Sequence, residues 1–125
     1  MTLVEESLSI SQAAERSGLS THTLRYYERK GLMLGGIERA SSTHRRYTEA
    51  DLAWVDFLTK LRSTAMPISR VREYVDLVRQ GDGSTRARLA LLIAHRDTVL
   101  AQLDEMTQSL AAIDHKIALY REGKV

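Results

Sequence analysis

Residues 20–32 read STHTLRYYERKGL, and this stretch predicts a short capped helix with a crowded polar surface. Ser20 is a suitable N-cap because its hydroxyl can accept a free amide hydrogen of the first turn, and Gly31 suits the left-handed residue that follows a helix. Leu24 and Tyr27 lie three residues apart, so both are expected to face inward. The other faces carry hydrogen-bonding or basic side chains, namely Thr21, His22, Arg25, Tyr26 and Arg29.

Another short helix is predicted directly before this one, within residues 10–19. Ser11 is its expected N-cap, Ala13 and Ala14 form a close-packing face, and Gly18 ends it. Two short helices joined by a tight turn form a helix-turn-helix, whose second helix enters the major groove of DNA. The turn alone does not exclude the alternative, a helical hairpin buried inside a protein core.

Basic charge is concentrated around this pair of helices. Residues 16–47 contain seven basic and two acidic side chains, a net charge of +5, whereas the whole chain has a formal net charge of +2. His22 and His44 lie in the same stretch. A basic surface around a polar helix is the electrostatic signature of a nucleic-acid-binding protein, so this pattern favours DNA recognition over a buried hairpin. The candidate DNA contacts on the second helix are Thr21, His22, Arg25, Tyr26 and Tyr27.

The motifs in and after this helix resemble the MerR family of bacterial transcription regulators. They are Leu24-Arg25-Tyr26-Tyr27-Glu28, Lys30-Gly31-Leu32, Arg45-Arg46-Tyr47, Leu61-Arg62, Met66-Pro67-Ile68, Arg72 and a long C-terminal helix. The resemblance implies a homodimer that binds double-stranded DNA, acts with bacterial RNA polymerase and realigns promoter elements. The chain is most similar to the family's aldehyde- and nitrosative-stress branch, but Lys60 stands near the place where that branch often has a cysteine. We therefore expect a cysteine-independent member.

A β-hairpin is predicted between Leu32 and Tyr47, with a loose tip formed by Gly35-Gly36 and residues 41–43. In a DNA-binding protein such a hairpin is a wing. Adjacent strand residues point to opposite faces, so one of Arg45 and Arg46 is well placed for a phosphate. The family resemblance implies that Arg45 contacts the DNA backbone or minor groove and that Tyr47 packs the wing onto the helices.

Two further helices are predicted after the wing. Thr48 and Asp51 have the spacing of a capping box, and the apolar positions of the helix that they open are Leu52, Val55, Leu58 and Leu61. Lys60 and Arg62 near its end are candidate contacts to flanking DNA, although basic residues there also complement the helix dipole. Pro67 begins the next helix, which runs to Gln80. Many relatives have glycine where this chain has Ala65, and the substitution argues against a left-handed turn there.

Residues 85–122 contain neither proline nor glycine, so a single long helix is expected, with Ser84 as its cap. Its apolar positions alternate spacings of three and four residues, as in a coiled coil. This spacing predicts dimerisation through a seam made of Leu89, Leu92, Arg96, Val99, Leu103, Met106, Leu110, Ile113, Ile117 and Tyr120. Periodicity leaves the orientation of the two helices open, and the family resemblance implies an antiparallel pair.

Composition excludes several other classes of function. No apolar run is long enough to cross a membrane and residues 1–7 do not resemble a secretory signal, so we expect a cytoplasmic protein without membrane contact. The chain has no cysteine, which removes disulfides and thiolate metal sites. His95 with Asp97 and His115 with Asp114 do not form dyads, because close neighbours on a helix point in different directions. We expect no enzyme, metal or cofactor.

The predicted fold is therefore mainly α, a winged helix-turn-helix followed by a long dimerisation helix that forms a coiled coil. The predicted DNA-binding domain is 1–80 and the dimerisation helix is 84–122. Two functions fit this sequence: a homodimeric regulator that distorts an inverted-repeat operator in response to an unidentified signal, or an architectural or protein-interaction module without an effector. If there is a small-molecule effector, the candidate wall residues are Tyr74, Leu77, His95 and Tyr120.

Overall fold

The computed structural model describes residues 7–34, 38–40 and 44–124, with the backbone alone at 38–40, 44 and 45. Its elements are β1 (Leu8–Ser9), α1 (Ile10–Ser17), α2 (Thr21–Arg29), β2 (Glu38–Ala40), β3 (His44–Tyr47), α3 (Glu49–Ser63), α4 (Ile68–Arg79), a 3₁₀ turn (Asp82–Ser84) and α5 (Thr85–Arg121). The predicted winged helix-turn-helix followed by a long helix is thereby confirmed. The predicted hairpin tip at Gly35-Gly36 and 41–43 lies outside the described residues.

The N-cap of helix α1 lies two residues earlier than expected. Ser9 has an extended backbone, its hydroxyl accepts the amide of Gln12 at 3.2 Å, and the Gln12 side chain accepts the Ser9 amide at 2.9 Å. This reciprocal pair is a capping box, in which glutamine three residues after the serine satisfies a second free amide. The prediction that Ser11 caps α1 is wrong, because Ser11 already lies inside the helix. Gly18 ends α1 at φ +75° as predicted.

Three short strands form an antiparallel sheet in the order β1-β3-β2. In this sheet Leu8 lies opposite Tyr47, and Glu38 lies opposite Arg46 on the other side of β3. Tyr47 is fully buried, which agrees with its predicted role of packing the wing onto the helices. The pairing of β1 with β3 has no signal in the sequence, because a two-residue strand carries no pattern that selects a partner.

Within the described residues, α3 and α4 supply seven of the fifteen buried apolar side chains. All four apolar positions predicted on α3 are buried: Leu52, Val55, Leu58 and Leu61. Val71, Tyr74 and Val75 are the buried residues of α4. The ring of Tyr74 stacks on Trp54 at 6.0 Å between centroids and meets Phe57 at 5.7 Å. Tyr74 therefore packs α4 against α3.

The turn between α3 and α4 contains a left-handed alanine. Ala65 has φ +68°, and the amide of Met66 donates to the carbonyl of Leu61 at 3.1 Å across the turn. This is the Schellman-type closure that usually uses glycine, and it draws Met66 into the core at 1% exposure. The expectation that Ala65 removes the need for a left-handed turn is therefore wrong. The buried methionine requires the turn, and the alanine adopts it at a conformational cost.

The 3₁₀ turn joins α4 to α5. The hydroxyl of Ser84 donates to the carbonyls of Leu77 and Gly81, the second at 2.8 Å, so it satisfies the end of α4. Its predicted role as the cap of α5 is corrected to this one. Helix α5 follows as a single helix of 37 residues, about 55 Å long at 1.5 Å per residue. The chain divides into two compact units after Arg88.

The predicted seam of α5 is largely uncovered within the single chain. Eight of its ten side chains are exposed, while Leu92 and Val99 are half-buried. Met106 is 70% exposed and Leu110 is 55% exposed. Such a continuous apolar stripe is unusual for a helix that stays in water. Among the described residues, no helix is both long enough and apolar enough to cross a membrane.

Candidate nucleic-acid interface

Helix α2 is closed at both ends by the residues that the sequence indicates. The Ser20 hydroxyl accepts the amide of Thr23 at 3.0 Å. At the other end Gly31 has φ +71°, and the amide of Leu32 donates to the carbonyl of Tyr27 at 3.0 Å. Leu32 is fully buried, so the left-handed glycine turns the chain back into the core. Both predicted caps are confirmed, and they fix the length of the helix.

One face of α2 is anchored in the core. Leu24 and Tyr27 are 1% and 5% exposed, and the Tyr27 hydroxyl lies 3.4 Å from the hydroxyl of Thr59 on α3. The inward direction predicted for both residues is confirmed. A tyrosine hydroxyl held at Thr59 is turned away from solvent, so Tyr27 is withdrawn from the predicted DNA contacts. Its role is to set the rotation of α2 about its own axis.

The opposite face of α2 carries the donors. His22, Arg25 and Arg29 are exposed, and Thr21 and Tyr26 are half-buried beside them. Within the described part of the chain, Arg25 makes no hydrogen bond or ion pair, so its guanidinium keeps all its donors for an external partner. Lys30 lies 5.8 Å from the centre of the Tyr26 ring, a cation–π distance that restrains the tyrosine against the helix end.

Three side chains from α3 and α4 hold the turn that follows α2. Arg72 donates to the carbonyl of Lys30 at 2.6 Å, and Arg79 donates to that of Gly31 at 2.7 Å and also to that of Met33. The indole nitrogen of Trp54 donates to the carbonyl of Leu32 at 2.8 Å. Four consecutive carbonyls are thus satisfied from the two helices behind α2. We call Arg72, Arg79 and Trp54 the carbonyl clamp.

The sequence does not single out this clamp. Arg79 occupies the last turn of α4, where a basic residue is expected merely to complement the helix dipole. The partners of all three side chains lie more than twenty residues away, so no local spacing links them. Trp54 gives one signal, since a buried indole N–H usually requires an acceptor. Arg72 belongs to the motifs of the family resemblance, but those motifs do not name its partner.

The two arginines predicted to contact DNA from the wing, Arg45 and Arg46, lie on β3. Arg46 on β3 is half-buried, while the side chain of Arg45 lies outside what is described. Their strand is the central one of the sheet, paired with β1 and β2 on its two sides. The backbone that carries both arginines is therefore tied to the N-terminal segment as well as to the rest of the hairpin.

Lys60 and Arg62, the candidates for flanking DNA, have partners inside the chain. Lys60 pairs with Asp56 one turn earlier on α3, and both side chains are exposed. Arg62 donates to the carbonyl of Met66 at 2.7 Å and so supports the turn after α3. An exposed ion pair contributes little and exchanges readily, so Lys60 stays available to a phosphate. Arg62 has a structural role that competes with a DNA contact.

Side chains that could ligate a metal are not clustered in the described ranges. Among those residues there is no group of three or more metal-ligating side chains. The candidate interface is therefore a surface of hydrogen-bond donors: the exposed face of α2, the strand with Arg45 and Arg46, and the end of α3.

Comparisons with known proteins agree on the nature of this chain. The family model for the MerR HTH regulatory proteins matches residues 8–77. An uncharacterized HTH-type transcriptional regulator of Haemophilus influenzae is 32% identical over 114 residues, which cover 91% of this chain and 84% of that protein. The HTH-type transcriptional regulator AdhR of Bacillus subtilis is 36% identical over 93 residues, which cover 74% of this chain and 66% of AdhR.

Solved structures share the same architecture. The crystal structure of HiNmlR, a MerR family regulator lacking the sensor domain and bound to promoter DNA, has a TM-score of 0.87 at 29% identity, covering 95% of this chain and 89% of that chain. A MerR family transcriptional regulator from Bacillus thuringiensis has a TM-score of 0.79 at 27% identity, covering 90% of this chain and 98% of that chain. These matches extend over the helix-turn-helix, the hairpin and the long helix together.

Proposed function

The chain belongs to the MerR family of helix-turn-helix transcription regulators, and from that premise we propose that it binds an inverted-repeat promoter operator as a homodimer. Helix α2 enters the major groove of each half-site, and the hairpin grips phosphates outside it. The observation that carries this proposal is the division of α2 into a core-anchored face and a donor-bearing face. The promoter DNA bound by HiNmlR supports the same choice of partner.

The proposed contacts separate base reading from positioning. Arg25 can donate two parallel hydrogen bonds to a guanine edge, and Thr21 or His22 lies beside it at the start of the helix. Tyr26 carries a hydroxyl on a rigid arm, which suits a backbone phosphate. Arg45, Arg46 and Lys60 are assigned to phosphates, since a phosphate contact requires charge more than fixed geometry.

Dimerisation is proposed through the seam of α5. The stripe from Leu89 to Tyr120 is too long and too apolar to remain in water, and a second copy covers it with an identical stripe. A two-fold dimer presents two recognition helices, and this symmetry requires an inverted repeat in the DNA. In this proposal, residues 1–80 are the DNA-binding domain and 84–122 the dimerisation helix.

The regulatory step is proposed to be a change of DNA shape. Two wings that grip phosphate on either side of the operator let a small rotation between subunits bend or untwist the central base pairs. Such a deformation costs on the order of 1–6 kcal/mol, which differential binding of one small-molecule effector can supply. The distorted promoter is then used by bacterial RNA polymerase, which places the protein in the cytoplasm with the DNA. The signal is not sensed by a cysteine thiol of this chain, because the sequence contains no cysteine.

The first experiment tests recognition. An operator is selected from a random duplex library with the full chain, and binding is measured by fluorescence anisotropy over a range of salt concentrations. We expect Arg25→Ala to cost about 1–3 kcal/mol and to relax the preference at one base pair per half-site. Arg45→Ala should weaken every sequence alike and lower the magnitude of the salt slope by about one. The opposite signatures would contradict the assigned roles.

The second experiment tests the regulatory step by footprinting the promoter with and without the inducing condition. Persistent protection with new hypersensitive bases at the operator centre is expected if the protein distorts DNA. Loss of protection under the inducing condition would instead indicate simple derepression. An unchanged footprint under every condition that alters transcription of the promoter would favour an architectural role without an effector.

A further inference from the structure

Arg96 is the one charged residue among the ten seam positions of α5. Its neighbours three and four residues away on the helix are all aliphatic: Leu92, Ile93, Val99 and Leu100. Arg96 is exposed, and within the described residues it makes no ion pair or hydrogen bond. A guanidinium in an apolar stripe destabilises a dimer unless it reaches water or a carboxylate of the second copy.

Asp114 is in a similar position further along α5. Its neighbours at three and four residues are Leu110, Ala111, Ile117 and Ala118, so its own helix offers it no basic partner. The described part of the chain shows no ion pair for it either. Asp114 follows the seam residue Ile113 directly and therefore lies at the edge of the stripe.

The side of the seam on which Arg96 lies contains a single acid. Five residues border the stripe on that side at seven-residue intervals, and they are Ile93, Leu100, Thr107, Asp114 and Arg121. Asp114 is therefore the only residue of this border whose carboxylate can pair with an Arg96 of the second copy. An ion pair between Arg96 and this border therefore forms in only one alignment of the two helices.

Helix direction decides whether the two residues meet. In a parallel, in-register pair each seam residue faces its own copy, so two Arg96 guanidinium groups share one layer and repel each other. An antiparallel pair places the two arginines in separate layers. In an antiparallel pair, the border that contains Asp114 in one copy also faces the same border of the second copy.

One antiparallel alignment pairs every seam position. The spacings of three and four residues read the same in both directions about a point between Leu103 and Met106. The facing residues are then Leu103 with Met106, Val99 with Leu110, Arg96 with Ile113, Leu92 with Ile117, and Leu89 with Tyr120. In this alignment Arg96 enters a hole formed by four residues of the second copy: Leu110, Ile113, Asp114 and Ile117.

We propose that Arg96 of each copy pairs with Asp114 of the other, and that these two symmetric ion pairs fix the register of an antiparallel α5 dimer. The inference rests on the proposed homodimer and adds its alignment. A shift by one heptad in one direction brings Arg96 beside Thr107, and a shift in the other brings it beside Arg121. Both shifts also leave apolar seam residues uncovered. The proposed register is therefore favoured both by the ion pairs and by the larger buried apolar surface.

A charge exchange tests the pair in the full-length protein. Arg96→Glu and Asp114→Arg each place two like-charge contacts in the dimer, and we expect each to raise the dimer dissociation constant about tenfold or more in sedimentation equilibrium. Combining the two substitutions restores opposite charges across the antiparallel interface and should recover most of the loss. In a parallel dimer, the combined variant would place two glutamates in one layer and stay weak.

Disulfide trapping tests the register independently, because the chain has no cysteine of its own. Val99→Cys combined with Leu110→Cys places facing thiols in the proposed alignment, and rapid oxidation should yield a covalent dimer. Val99→Cys with Leu103→Cys and Val99→Cys with Ile117→Cys are the matched controls for the two shifted registers. Val99→Cys alone would crosslink only a parallel pair.

Arg96→Leu separates register from affinity. An aliphatic side chain fits the seam, so the dimer should become at least as tight while the shifted-register crosslinks increase. A parent chain that stays monomeric at high concentration would contradict the proposed dimer itself. A parent dimer that is insensitive to both charge reversals, or that crosslinks best in a shifted register, would overturn the register while leaving dimerisation intact.

Discussion

Leu58 in the N-terminal unit is 0% exposed and Leu110 in α5 is 55% exposed, although both occupy apolar stripes with helical spacing. The first stripe is covered by helices of the same chain, whereas the second lies along a helix of 37 residues with its seam open. The same contrast holds for arginines, since Arg79 donates to carbonyls of its own chain and Arg96 has no such partner among the described residues. We infer that one unit completes its interactions alone and that the other requires a second copy.

Leu103→Asp should produce the largest effect on this contrast. It places two unpaired carboxylates at the centre of the proposed seam, at a cost on the order of 5 kcal/mol per dimer. We expect a folded monomer that no longer binds the operator, detected by sedimentation and anisotropy on the same sample. Ala112→Asp, on an exposed residue of the same helix that lies away from the seam and its borders, is the control. A monomer with full operator affinity would break the comparison.

Leu58→Ala should act on the other unit. Removing a fully buried leucine leaves a cavity, and we expect the free energy of unfolding to fall by about 2–5 kcal/mol. Because the cavity lies inside one chain, the loss should be the same at all protein concentrations in chemical denaturation. Leu110→Ala is the matched substitution in α5, and its effect should depend on protein concentration. If both variants behaved alike, the two stripes would not differ in the way proposed.

Arg79→Gln should sharpen the comparison between arginines. The substitution shortens the side chain and removes the charge that satisfies two carbonyls after α2, so we expect a loss of about 1 kcal/mol in stability. If the carbonyl clamp positions the recognition helix, the ratio of operator affinity to affinity for scrambled DNA should also fall. Arg70→Gln on the same helix, which removes an exposed ion pair with Glu73, should change neither quantity appreciably. Equal losses on operator and scrambled DNA would leave Arg79 with no positioning role.

Ala65→Gly should have the smallest effect and the opposite sign. Glycine removes the strain of a left-handed alanine but adds freedom to the unfolded chain, so the net gain in stability should be about 0.5–1 kcal/mol. Gly31→Ala is the reciprocal test, because nothing lies within 4 Å of the added carbon and only its φ of +71° opposes it. The two variants should shift thermal unfolding in opposite directions. A destabilised Ala65→Gly variant would show that the backbone strain at Ala65 is smaller than the entropy that glycine adds to the unfolded chain.

The helices and the inward face of α2 could be predicted from the sequence because their signals are local. Ser20 and Gly31 define the ends of α2 within a dozen residues, and the apolar spacing of α3 names its buried side chains. The donor-bearing surface was predicted for the same reason, since His22, Arg25 and Arg29 are what remains when Leu24 and Tyr27 turn inward. The prediction that Tyr27 contacts DNA was wrong, because the sequence alone does not show that its hydroxyl lies against Thr59 of α3.

The long helix was also determined by the sequence alone, because uninterrupted helix formers and a repeat of three and four residues need no distant partner to be recognised. Tertiary structure alone decided the contacts between segments far apart in the chain. It selected β3 as the partner of β1, placed Arg72, Arg79 and Trp54 on the carbonyls after α2, and gave Ala65 the left-handed turn that buries Met66. Local patterns follow from backbone geometry, whereas these contacts depend on how the helices pack, and no short stretch of sequence contains that information.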